Sequence, residues 1–425
     1  MQKILYPSID SWSELLKRPV FDASSLEERV VPILQTVKSQ GDSALKEMTQ
    51  KFDGVQLESI LVTEAELKEA ASLVSTDLKD AIQIARANIE KFHKAQQVTV
   101  EKVETTKGVV CWRESRAIEK VGLYIPGGTA PLFSTILMLV VPAKIAGCQE
   151  IVLCTPPNKE GKVHPAILYT ANLLGVTKIA KVGGAQAIAA LAYGTESVPK
   201  VYKIFGPGNQ YVTAAKQLVN KEGVAIDMPA GPSEVAVVAD ESATPSFVAA
   251  DLLSQAEHGV DSQVILISTS EAVVDKIIQE VVNQLSELPR KEMAAKSLLN
   301  SKAIVVDSMD VAMDMMNAYA PEHLILEVKD YMSLIPKVIN AGSVFLGHYT
   351  PESAGDYASG TNHTLPTNGY ATAYSGVSLD SFIKKVTFQE ISKEGIQNLG
   401  AAIEIMAATE ELFAHKNAVS LRLKD

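Results

Sequence analysis

A repeated unit of a short β-rich run, a Gly/Pro turn and a helical stretch constrains the fold of this chain more than any other feature. From about residue 120 the unit occurs four times, in VGLYIPGG, EIVLCTPP, KIAKVGGAQA and VYKIFGPGNQ. A strand, a tight turn and a helix at this spacing are typical of βαβ units and predict a parallel sheet. A second series of runs, EVAVVAD, SQVILIS, KAIVVDS, LILEVKD and SVFLG, predicts a second sheet. We therefore expect an α/β fold with two lobes and a cleft between them.

The two ends of the chain predict helices rather than sheet. Within the first hundred residues, Ser25 with Glu28 and Thr63 with Glu66 form capping-box patterns ahead of apolar residues at helical spacing. Beyond residue 380 the strand pattern fades, and the sequence is typical of helices. The predicted organisation has four parts: a small N-terminal segment at 1–22, a discontinuous first α/β lobe at 23–119 with 231–375, a second lobe at 120–230, and a small C-terminal helical tail at 376–425.

Length and charge bound the class of protein. A chain of 425 residues with 47% hydrophobic content is long enough to bury more than one core. Its 50 acidic and 39 basic residues give a formal net charge of −11, and no Lys/Arg-rich run interrupts the chain. Such a surface does not attract a phosphate backbone, so we expect no nucleic-acid partner.

The apolar and cysteine patterns favour a cytoplasmic protein without a membrane span. The first twenty residues carry Asp10 and Glu14 and lack the apolar core of a secretory signal. The longest uncharged apolar run, residues 131–143, is shorter than the roughly 20 residues that a span needs. The three cysteines are an odd number without metal-type spacing, so we expect packing roles in a reducing compartment for Cys111, Cys148 and Cys154.

Glycine turns follow several of the predicted strands. The stretches GGAQ at 183–186 and GPGN at 206–209 would let backbone N–H groups approach an anionic ligand at a helix N-terminus. The chain has no G-x-G-x-x-G, however, and both stretches are more typical of ordinary strand-to-helix turns. The turns alone do not predict a dinucleotide site.

Gln255 and His258 lie three residues apart in SQAEHG, in a segment with helical character. Residues at this spacing share one face of a helix, so both side chains could reach one metal ion. A packed or solvated pair is the alternative, because glutamine is an uncommon ligand beside His, Cys and carboxylates.

Glu322 and His323 are adjacent in APEHL, just before the predicted strand LILEV. Loops at strand ends in α/β sheets are where ligands bind. A carboxylate and an imidazole supply two proton-transfer groups whose ordinary pKa values lie on either side of 5 to 6, so a modest shift brings either near neutrality. The alternative is a solvated surface turn.

Residues 351–369, PESAGDYASGTNHTLPTNG, form a long polar segment without hydrophobic periodicity that contains Asp356 and His363. Segments of this length inside a compact domain are usually functional or disordered. We expect this one to be ordered, because four apolar or aromatic residues can anchor it. These are Tyr357, Leu365, Pro366 and Tyr370.

The remaining histidines outside the tail lie in different contexts. His93 follows Phe92 late in an amphipathic helix, His164 precedes Pro165 at a helix start, and His348 follows a predicted buried strand. We do not expect these three to be catalytic.

Seven stretches, in this order along nearly the whole chain, resemble histidinol dehydrogenase. They are GLYIPGGTAPLFSTILMLVVPAKIAGC, GPGNQYVTAAK, DMPAGPSEV, DLLSQAEHG, NAYAPEHLIL, AGSVFLGHYTPESAGDYASGTNHTLPT and HKNAVSLR. The resemblance implies zinc- and NAD-dependent oxidation of L-histidinol to L-histidine through L-histidinaldehyde, the last step of histidine biosynthesis. It also implies incomplete Rossmann-like lobes and a homodimer in which the tail reaches the partner's site.

The same resemblance implies the roles of individual residues. One zinc ion per site would be held by Gln255, His258, Asp356 and His415. These four would also contact the substrate, together with Ser233, His323, His363 and Glu410. Glu322 and His323 would be the catalytic pair, His323 for the alcohol and hydrate protons and Glu322 for activation of water. The dinucleotide would contact Tyr124, Gln186 and Asn209.

Two other kinds of protein fit the same residues. A metal-dependent hydrolase could use Glu322 to activate a metal-bound water. A binding or assembly protein could keep the fold without catalysis, in which case loss of His323 would affect no proton-coupled step.

Overall fold

The computed structural model describes residues 1–19, 23–127, 130–229 and 231–425. Helices and strands are numbered in chain order. The strands are β1 Gln2–Leu5, β2 Lys102–Thr106, β3 Val109–Ala117, β4 Lys120–Tyr124, β5 Glu150–Cys154, β6 Lys178–Ala180, β7 Lys203–Phe205, β8 Ala225–Ile226, β9 Glu234–Ala239, β10 Gln263–Ser268, β11 Lys302–Val305, β12 His323–Glu327, β13 Ser343–Leu346 and β14 Ile383–Ile391. The α-helices are α1 Trp12–Leu15, α2 Ala23–Gln40, α3 Asp42–Phe52, α4 Glu64–Leu73, α5 Thr76–Lys94, α6 Phe133–Ala146, α7 Pro165–Leu173, α8 Gly184–Tyr193, α9 Gln210–Lys221, α10 Pro245–Ala256, α11 Glu271–Glu287, α12 Lys291–Leu299, α13 Met309–Tyr319, α14 Glu352–Tyr357, α15 Lys393–Thr409 and α16 Phe413–Lys424.

The larger lobe is built on a six-stranded parallel sheet with the order β1-β11-β10-β9-β12-β13. Strands β9, β10 and β12 are buried at every residue. Both faces of the sheet are covered, by α10, α11 and α12 on one side and α13 on the other. This coverage explains why the strand sequences are continuous apolar runs rather than alternating ones. All five runs of the second predicted series are confirmed as strands.

The other lobe is built on a five-stranded parallel sheet with the order β6-β5-β4-β7-β8. Helices α6 and α7 pack on one face, and α8 and α9 pack on the other. The first predicted series is confirmed as β4, β5, β6 and β7. The α/β class with two parallel sheets is therefore confirmed.

Helices α2 to α5 also pack on the five-stranded lobe. Leu34 of α2 belongs to the same buried cluster as Ile188 of α8, and Ile89 of α5 contacts the cluster of Met138 in α6. This packing differs from the predicted partition, which grouped 23–119 with 231–375. An amphipathic pattern shows that a helix has a buried face but does not show which sheet covers it. The domain boundaries themselves stay a prediction.

A third sheet is antiparallel, with the order β14-β3-β2. Strand β14 pairs with β3 along its whole length, from Ile383 opposite Ala117 to Ile391 opposite Val109. The prediction of helix beyond residue 380 is thus wrong for β14, whereas α15 and α16 confirm the helical end of the tail. The reason is that no residue of β14 is fully buried, so its sequence lacks the strong apolar run of the central strands.

Only one of the two capping-box predictions is correct. Thr63 caps α4, since its side chain accepts a hydrogen bond from the Glu66 N–H at 3.2 Å and the Glu66 carboxylate accepts one from the Thr63 N–H at 2.7 Å. Helix α2 begins at Ala23, so Ser25 lies within the helix rather than before it.

The polar segment 351–369 is ordered and lies against both lobes. The Asn362 side chain donates to the Met138 carbonyl of α6 at 2.6 Å, and the Asn88 side chain of α5 donates to the Ala358 carbonyl at 2.9 Å. Leu365 and Pro366 are buried as expected, but Tyr357 is 55% exposed and is not an anchor. The segment follows β13 of the six-stranded lobe and contacts α5 and α6 of the other lobe, so it connects the two lobes. Within the described ranges, no helix combines the length and apolar character that a membrane crossing needs.

Candidate active site and metal centre

The predicted catalytic pair lies at the amino edge of the six-stranded sheet. His323 is the first residue of β12 and Glu322 precedes it, while Ser233 precedes β9 in the next strand of the sheet. The turn is tightly built. The Ser343 N–H donates to the Glu322 carbonyl at 2.9 Å, and a Cβ added at Gly342 would lie 2.5 Å from that carbonyl oxygen. Only glycine therefore fits at position 342 without a shift in the backbone that holds Glu322.

The C-terminal turn of α10 brings Gln255 and His258 to the same edge. Gln255 is 1% exposed, and its Oε1 is buried without a hydrogen-bond partner in the described part of the chain. A buried acceptor without a partner is costly unless a ligand or ion satisfies it. The C-terminus of a helix also carries a partial negative charge that favours a cation. Both features suit a metal ligand and do not suit an accidental pair.

Three donors cluster beside this turn. One ligand atom each from His258, Glu352 and Asp356 lie within 4.8 Å of one another. Helix α14 supplies both carboxylates, and the His258 imidazole follows the end of α10 by two residues. With the Gln255 amide oxygen, the cluster offers nitrogen and oxygen donors without cysteine, which fits an ion that keeps an open position for a substrate.

Glu352 is a site residue that the sequence analysis missed. It is 1% exposed, its Oε1 lies 3.7 Å from His323 Nδ1, and this oxygen has no hydrogen-bond partner among the described residues. The available signal was its spacing of four residues from Asp356, which places both carboxylates on one face of a helix.

His323 lies among backbone and carboxylate oxygens. Its Nδ1 is 3.2 Å from the Glu234 carbonyl oxygen and 3.7 Å from Glu322 Oε2, and its Nε2 is 3.5 Å from Asp356 Oδ1. Glu322 Oε2 accepts a hydrogen bond from the Glu234 N–H at 2.9 Å. The alternative of a solvated surface turn is wrong, because Glu322 and His323 are 6% and 4% exposed.

Burial and nearby charges shift the pKa values of both Glu322 and His323. Burial raises the pKa of Glu322 to about 8. Burial also opposes the charged form of His323, but the carboxylates of Glu352, Glu322 and Asp356 outweigh it and raise the pKa of His323 to about 10. Burial likewise raises the pKa of Glu352 well above its ordinary value. Three largely buried acidic groups thus surround one imidazole, and a protonated His323, protonation of carboxyls or a bound cation can balance their charge.

His363 connects this site to the other lobe. Its Nδ1 is 2.8 Å from the Asp356 carbonyl oxygen, and its Nε2 is 3.1 Å from the Thr135 hydroxyl of α6. Burial lowers the pKa of His363, so the neutral ring is favoured. Ser233 lies partly exposed beside Glu234 at the start of β9. Both predicted substrate contacts therefore lie next to the acidic cluster or to the catalytic pair.

The three predicted dinucleotide contacts lie at the carboxyl edge of the five-stranded sheet. Tyr124 ends β4, and its phenol oxygen accepts a hydrogen bond from the Gly184 N–H at 3.2 Å. Gln186 is buried in α8, and Asn209 caps α9 by accepting from the N–H groups of Tyr211 and Val212. Asn209 thus has a structural role in addition to any role in binding.

A cavity of about 370 Å³ opens at the same carboxyl edge. Its lining includes His164, which we did not expect to be catalytic, and Asp53, Thr155 and Asn158, which no sequence motif marked. Tyr124, Gln186 and Asn209 are near this edge but do not line the cavity itself.

Glu410 and His415 are not brought to the site of their own chain. Both side chains are exposed, and neither forms a hydrogen bond or ion pair within the described residues. Helix α16 packs against α15. The predicted contribution of these residues to a neighbouring subunit stays a prediction.

Known proteins resemble this chain over its full length. The family model described as histidinol dehydrogenase matches residues 16–423. A histidinol dehydrogenase of Bacteroides thetaiotaomicron is 65% identical over 423 residues, covering 100% of this chain and 99% of the relative. A chloroplastic histidinol dehydrogenase of Arabidopsis thaliana is 55% identical, covering 97% of this chain and 88% of the relative. The crystal structure of histidinol dehydrogenase from Elizabethkingia anophelis superposes with a TM-score of 0.98 at 58% identity, covering 100% of this chain and 98% of that one.

Proposed function

Because this chain belongs to the histidinol dehydrogenase family and is an enzyme of histidine biosynthesis, we propose that it oxidises L-histidinol to L-histidine through L-histidinaldehyde. In this proposal two NAD molecules are reduced in turn, and one zinc ion is bound per site. The observation that carries it is the cluster of His258, Glu352 and Asp356 beside the buried pair Glu322 and His323.

The proposed zinc ligands are Gln255, His258, Asp356 and His415 of the partner subunit. The buried Gln255 oxygen without a partner and the proximity of His258 to Asp356 support the first three. When bound, the zinc ion would orient the substrate's nitrogen atoms without carrying electrons. Ser233 and His363, with Glu410 of the partner subunit, would complete the substrate contacts.

In the first oxidation, His323 accepts the proton of the hydroxyl group as a hydride leaves the carbon that bears this hydroxyl for NAD, which yields the aldehyde. His323 suits this task because its buried Nε2 has no hydrogen-bond partner among the described residues and lies 3.5 Å from Asp356 Oδ1, a proposed zinc ligand. A base must begin neutral. The carboxylates around His323 favour its charged form. A cation bound to these carboxylates would offset their negative charge and so favour the neutral ring.

In the second oxidation, water adds to the aldehyde carbon before another hydride can leave. Glu322, which is ionised above its pKa of about 8, accepts a proton from this water while His323 returns its proton to the aldehyde oxygen. The neutral His323 then accepts a hydroxyl proton of the resulting hydrate as the second hydride leaves. The Glu234 N–H holds the Glu322 carboxyl beside His323, so the two proton acceptors stay together through both steps. Each oxidation reduces one NAD, and the water oxygen becomes part of the product carboxylate.

The proposed dinucleotide contacts are Tyr124, Gln186 and Asn209. They lie where parallel strands end and helices begin, the usual position of nucleotide sites in α/β sheets. The acidic net charge and the free cysteines support a cytoplasmic enzyme without a nucleic-acid partner.

The test is to mix metal-replete protein with L-histidinol and NAD and to measure NADH, with histidine identified as the product. Two NADH formed per histidine would support the proposal. Folded, zinc-loaded protein that forms no NADH would refute the proposal. Release of a hydrolysis product from an ester or amide of histidine would favour the hydrolase instead. A protein that only binds histidinol would give neither product.

A further inference from the structure

Arg18 and Glu234 form a bidentate ion pair that the proposed chemistry does not use. Arg18 Nε lies 2.5 Å from Glu234 Oε1, and Arg18 Nη2 lies 2.8 Å from Glu234 Oε2. The Glu234 side chain is 2% exposed and the Arg18 side chain 16%. The pair therefore connects the N-terminal segment to the first residue of β9, deep beside the catalytic pair.

The backbone of Glu234 contacts both catalytic side chains. Its N–H donates to Glu322 Oε2 at 2.9 Å, and its carbonyl oxygen is 3.2 Å from His323 Nδ1. Any rotation of the Glu234 backbone would displace both the N–H that binds Glu322 and the carbonyl oxygen that faces His323. The orientation of this one residue thus sets the relative position of Glu322 and His323.

Arg18 also holds the chain just before Glu322. Its Nη2 donates to the Tyr319 carbonyl at 2.6 Å, and its guanidinium lies 4.0 Å from the centroid of the Tyr319 ring. The next residue, Ala320, is in the left-handed region with φ of 51°. Such a conformation persists only where the surroundings hold it. Arg18 therefore contacts the backbone just before the catalytic pair as well as the side chain of Glu234.

A third contact ties the pair to the segment that carries Asp356. Glu234 Oε1 accepts a hydrogen bond from the Asn368 N–H at 2.7 Å, at the end of the segment 351–369. One carboxylate thus joins the N-terminal segment, β9 and the polar segment of the site.

Stability alone is a weak explanation for this arrangement. A buried ion pair contributes little net stability compared with neutral side chains of similar shape, because the desolvation of both charges offsets their attraction. A bidentate Arg–carboxylate pair is, however, strongly directional. Its main effect is expected on geometry.

We propose that Arg18 and Glu234 are positioning residues for the oxidation, and that their ion pair orients the Glu234 backbone, which in turn orients Glu322 and His323. This inference rests on the proposed function. Both residues act through the catalytic pair and contact neither substrate nor cofactor.

The test compares Arg18→Met, Glu234→Gln and the double variant, with kcat, the KM for histidinol, zinc content and thermal unfolding measured for each. Each single variant leaves a buried partner unpaired, so both should lose stability and kcat. In the double variant no charge is unpaired, so stability should recover while kcat stays lower by about 10²-fold, the effect expected of a small misplacement of reacting groups. Zinc content and KM should change little.

Recovery of both stability and kcat in the double variant would show a purely structural role and overturn the inference. Arg18→Lys keeps the charge but loses the bidentate geometry, and it covers the case in which the double variant does not fold. We expect it to fold with reduced kcat, and a wild-type kcat would overturn the inference.

The control is Lys3→Met with Asp275→Asn, which removes an exposed pair between the same N-terminal segment and α11 and should leave kcat unchanged. Wild-type protein that forms no NADH would refute the proposed function and this inference with it, whereas an active wild type with an unaffected double variant refutes the inference alone.

Discussion

At the scale of single residues, burial determines what Glu322 and His323 can do. In water their side chains have pKa values of about 4.3 and 6.5, but in this protein the pKa of Glu322 is raised to about 8 and that of His323 to about 10. The first shift comes from burial and the second from three nearby carboxylates. The chemistry of the pair therefore depends on Glu352 and Asp356 as much as on the pair itself.

The assignment of His323 as a base predicts a large kinetic effect. We expect His323→Ala to lower kcat for histidinol oxidation by about 10²-fold or more, because both oxidations lose their proton acceptor. Zinc content should stay at the wild-type level. The matched control is His348→Ala, which removes a histidine that we do not expect to be catalytic. A kcat close to wild type for His323→Ala would show that another group accepts the protons.

Glu352 should strengthen metal binding without being one of the four proposed ligands. Its carboxyl group lies in the cluster with His258 and Asp356. Burial raises its pKa, but a cation favours its ionised form, and Glu352→Gln removes this source of negative charge. We expect Glu352→Gln to weaken zinc affinity by about 10- to 100-fold, the usual effect of losing a group that supports the ligands. Competition with a chelator measures this affinity directly.

Glu292→Gln is the control for this experiment, because Glu292 is an exposed glutamate of α12. Equal zinc affinity in Glu352→Gln, Glu292→Gln and wild-type protein would contradict the prediction.

At the scale of helices and strands, the two sheets use opposite edges. The catalytic pair and the acidic cluster lie at the amino ends of β9 and β12, whereas the glycine turns at 183–186 and 206–209 lie at the carboxyl ends of β6 and β7. The position of the cluster at the amino edge is explained by the C-terminus of α10, which presents the negative end of a helix to a cation there. The rule that ligands bind at carboxyl ends therefore does not describe the candidate site of the six-stranded sheet.

Helix α5 carries a buried histidine that should make stability depend on pH. His93 is fully buried, its Nδ1 lies 2.8 Å from the Ile89 carbonyl oxygen, and burial lowers its pKa. At a pH just below the ordinary value of about 6.5, the unfolded chain binds a proton that the folded chain does not. The free energy of unfolding therefore falls as the pH drops through this value.

We expect His93→Leu to reduce this loss of stability, because the variant has no ring to protonate in the unfolded state. Urea unfolding at about pH 7.5 and about pH 5.5, one unit on either side of the ordinary His pKa, gives the comparison. The difference between the two pH values should be smaller in the variant than in wild type. An equal difference in both proteins would assign the pH dependence to other groups.

At the scale of the whole molecule, the tail is the part whose function one chain does not explain. Ile405, Met406 and Phe413 of α15 and α16 are each more than 60% exposed, at 68%, 66% and 64%. Glu410 and His415 lie on the same exposed tail. These observations agree with the proposed homodimer, in which the tail would be covered by a second subunit.

The shared site predicts complementation between two inactive variants. His323→Ala removes the base from the core, and His415→Ala removes the proposed ligand from the tail, so each homodimer should be inactive. A mixed dimer has one site in which both changes meet and one site in which neither occurs. Co-expression with two affinity tags should therefore yield a mixed dimer with about half of the wild-type kcat.

Purified His323→Ala and His415→Ala homodimers are the controls for this experiment. A mixed dimer as inactive as the two homodimers would show that His415 acts within its own chain or not at all.

The sequence alone was sufficient for the class of fold and for most of the candidate residues. Continuous Val/Ile-rich runs followed by glycine turns predicted both parallel sheets, because strands buried on two faces leave a strong local pattern. Gln255, His258, Glu322, His323 and Asp356 were likewise identified from short polar motifs and from the family resemblance.

Only the tertiary structure determined which groups meet. Strand β14 has no residue that is fully buried, so nothing local marked it, and the helices α2 to α5 show a buried face without showing the sheet that covers it. Glu352 joined the site because α14 folds beside α10, and Glu234 became the contact between Arg18 and the catalytic pair because β9 lies next to β12. The physical reason is that amphipathic pattern and chain spacing act over a few residues, whereas burial, charge clustering and pKa shifts depend on neighbours tens to hundreds of residues apart in the sequence.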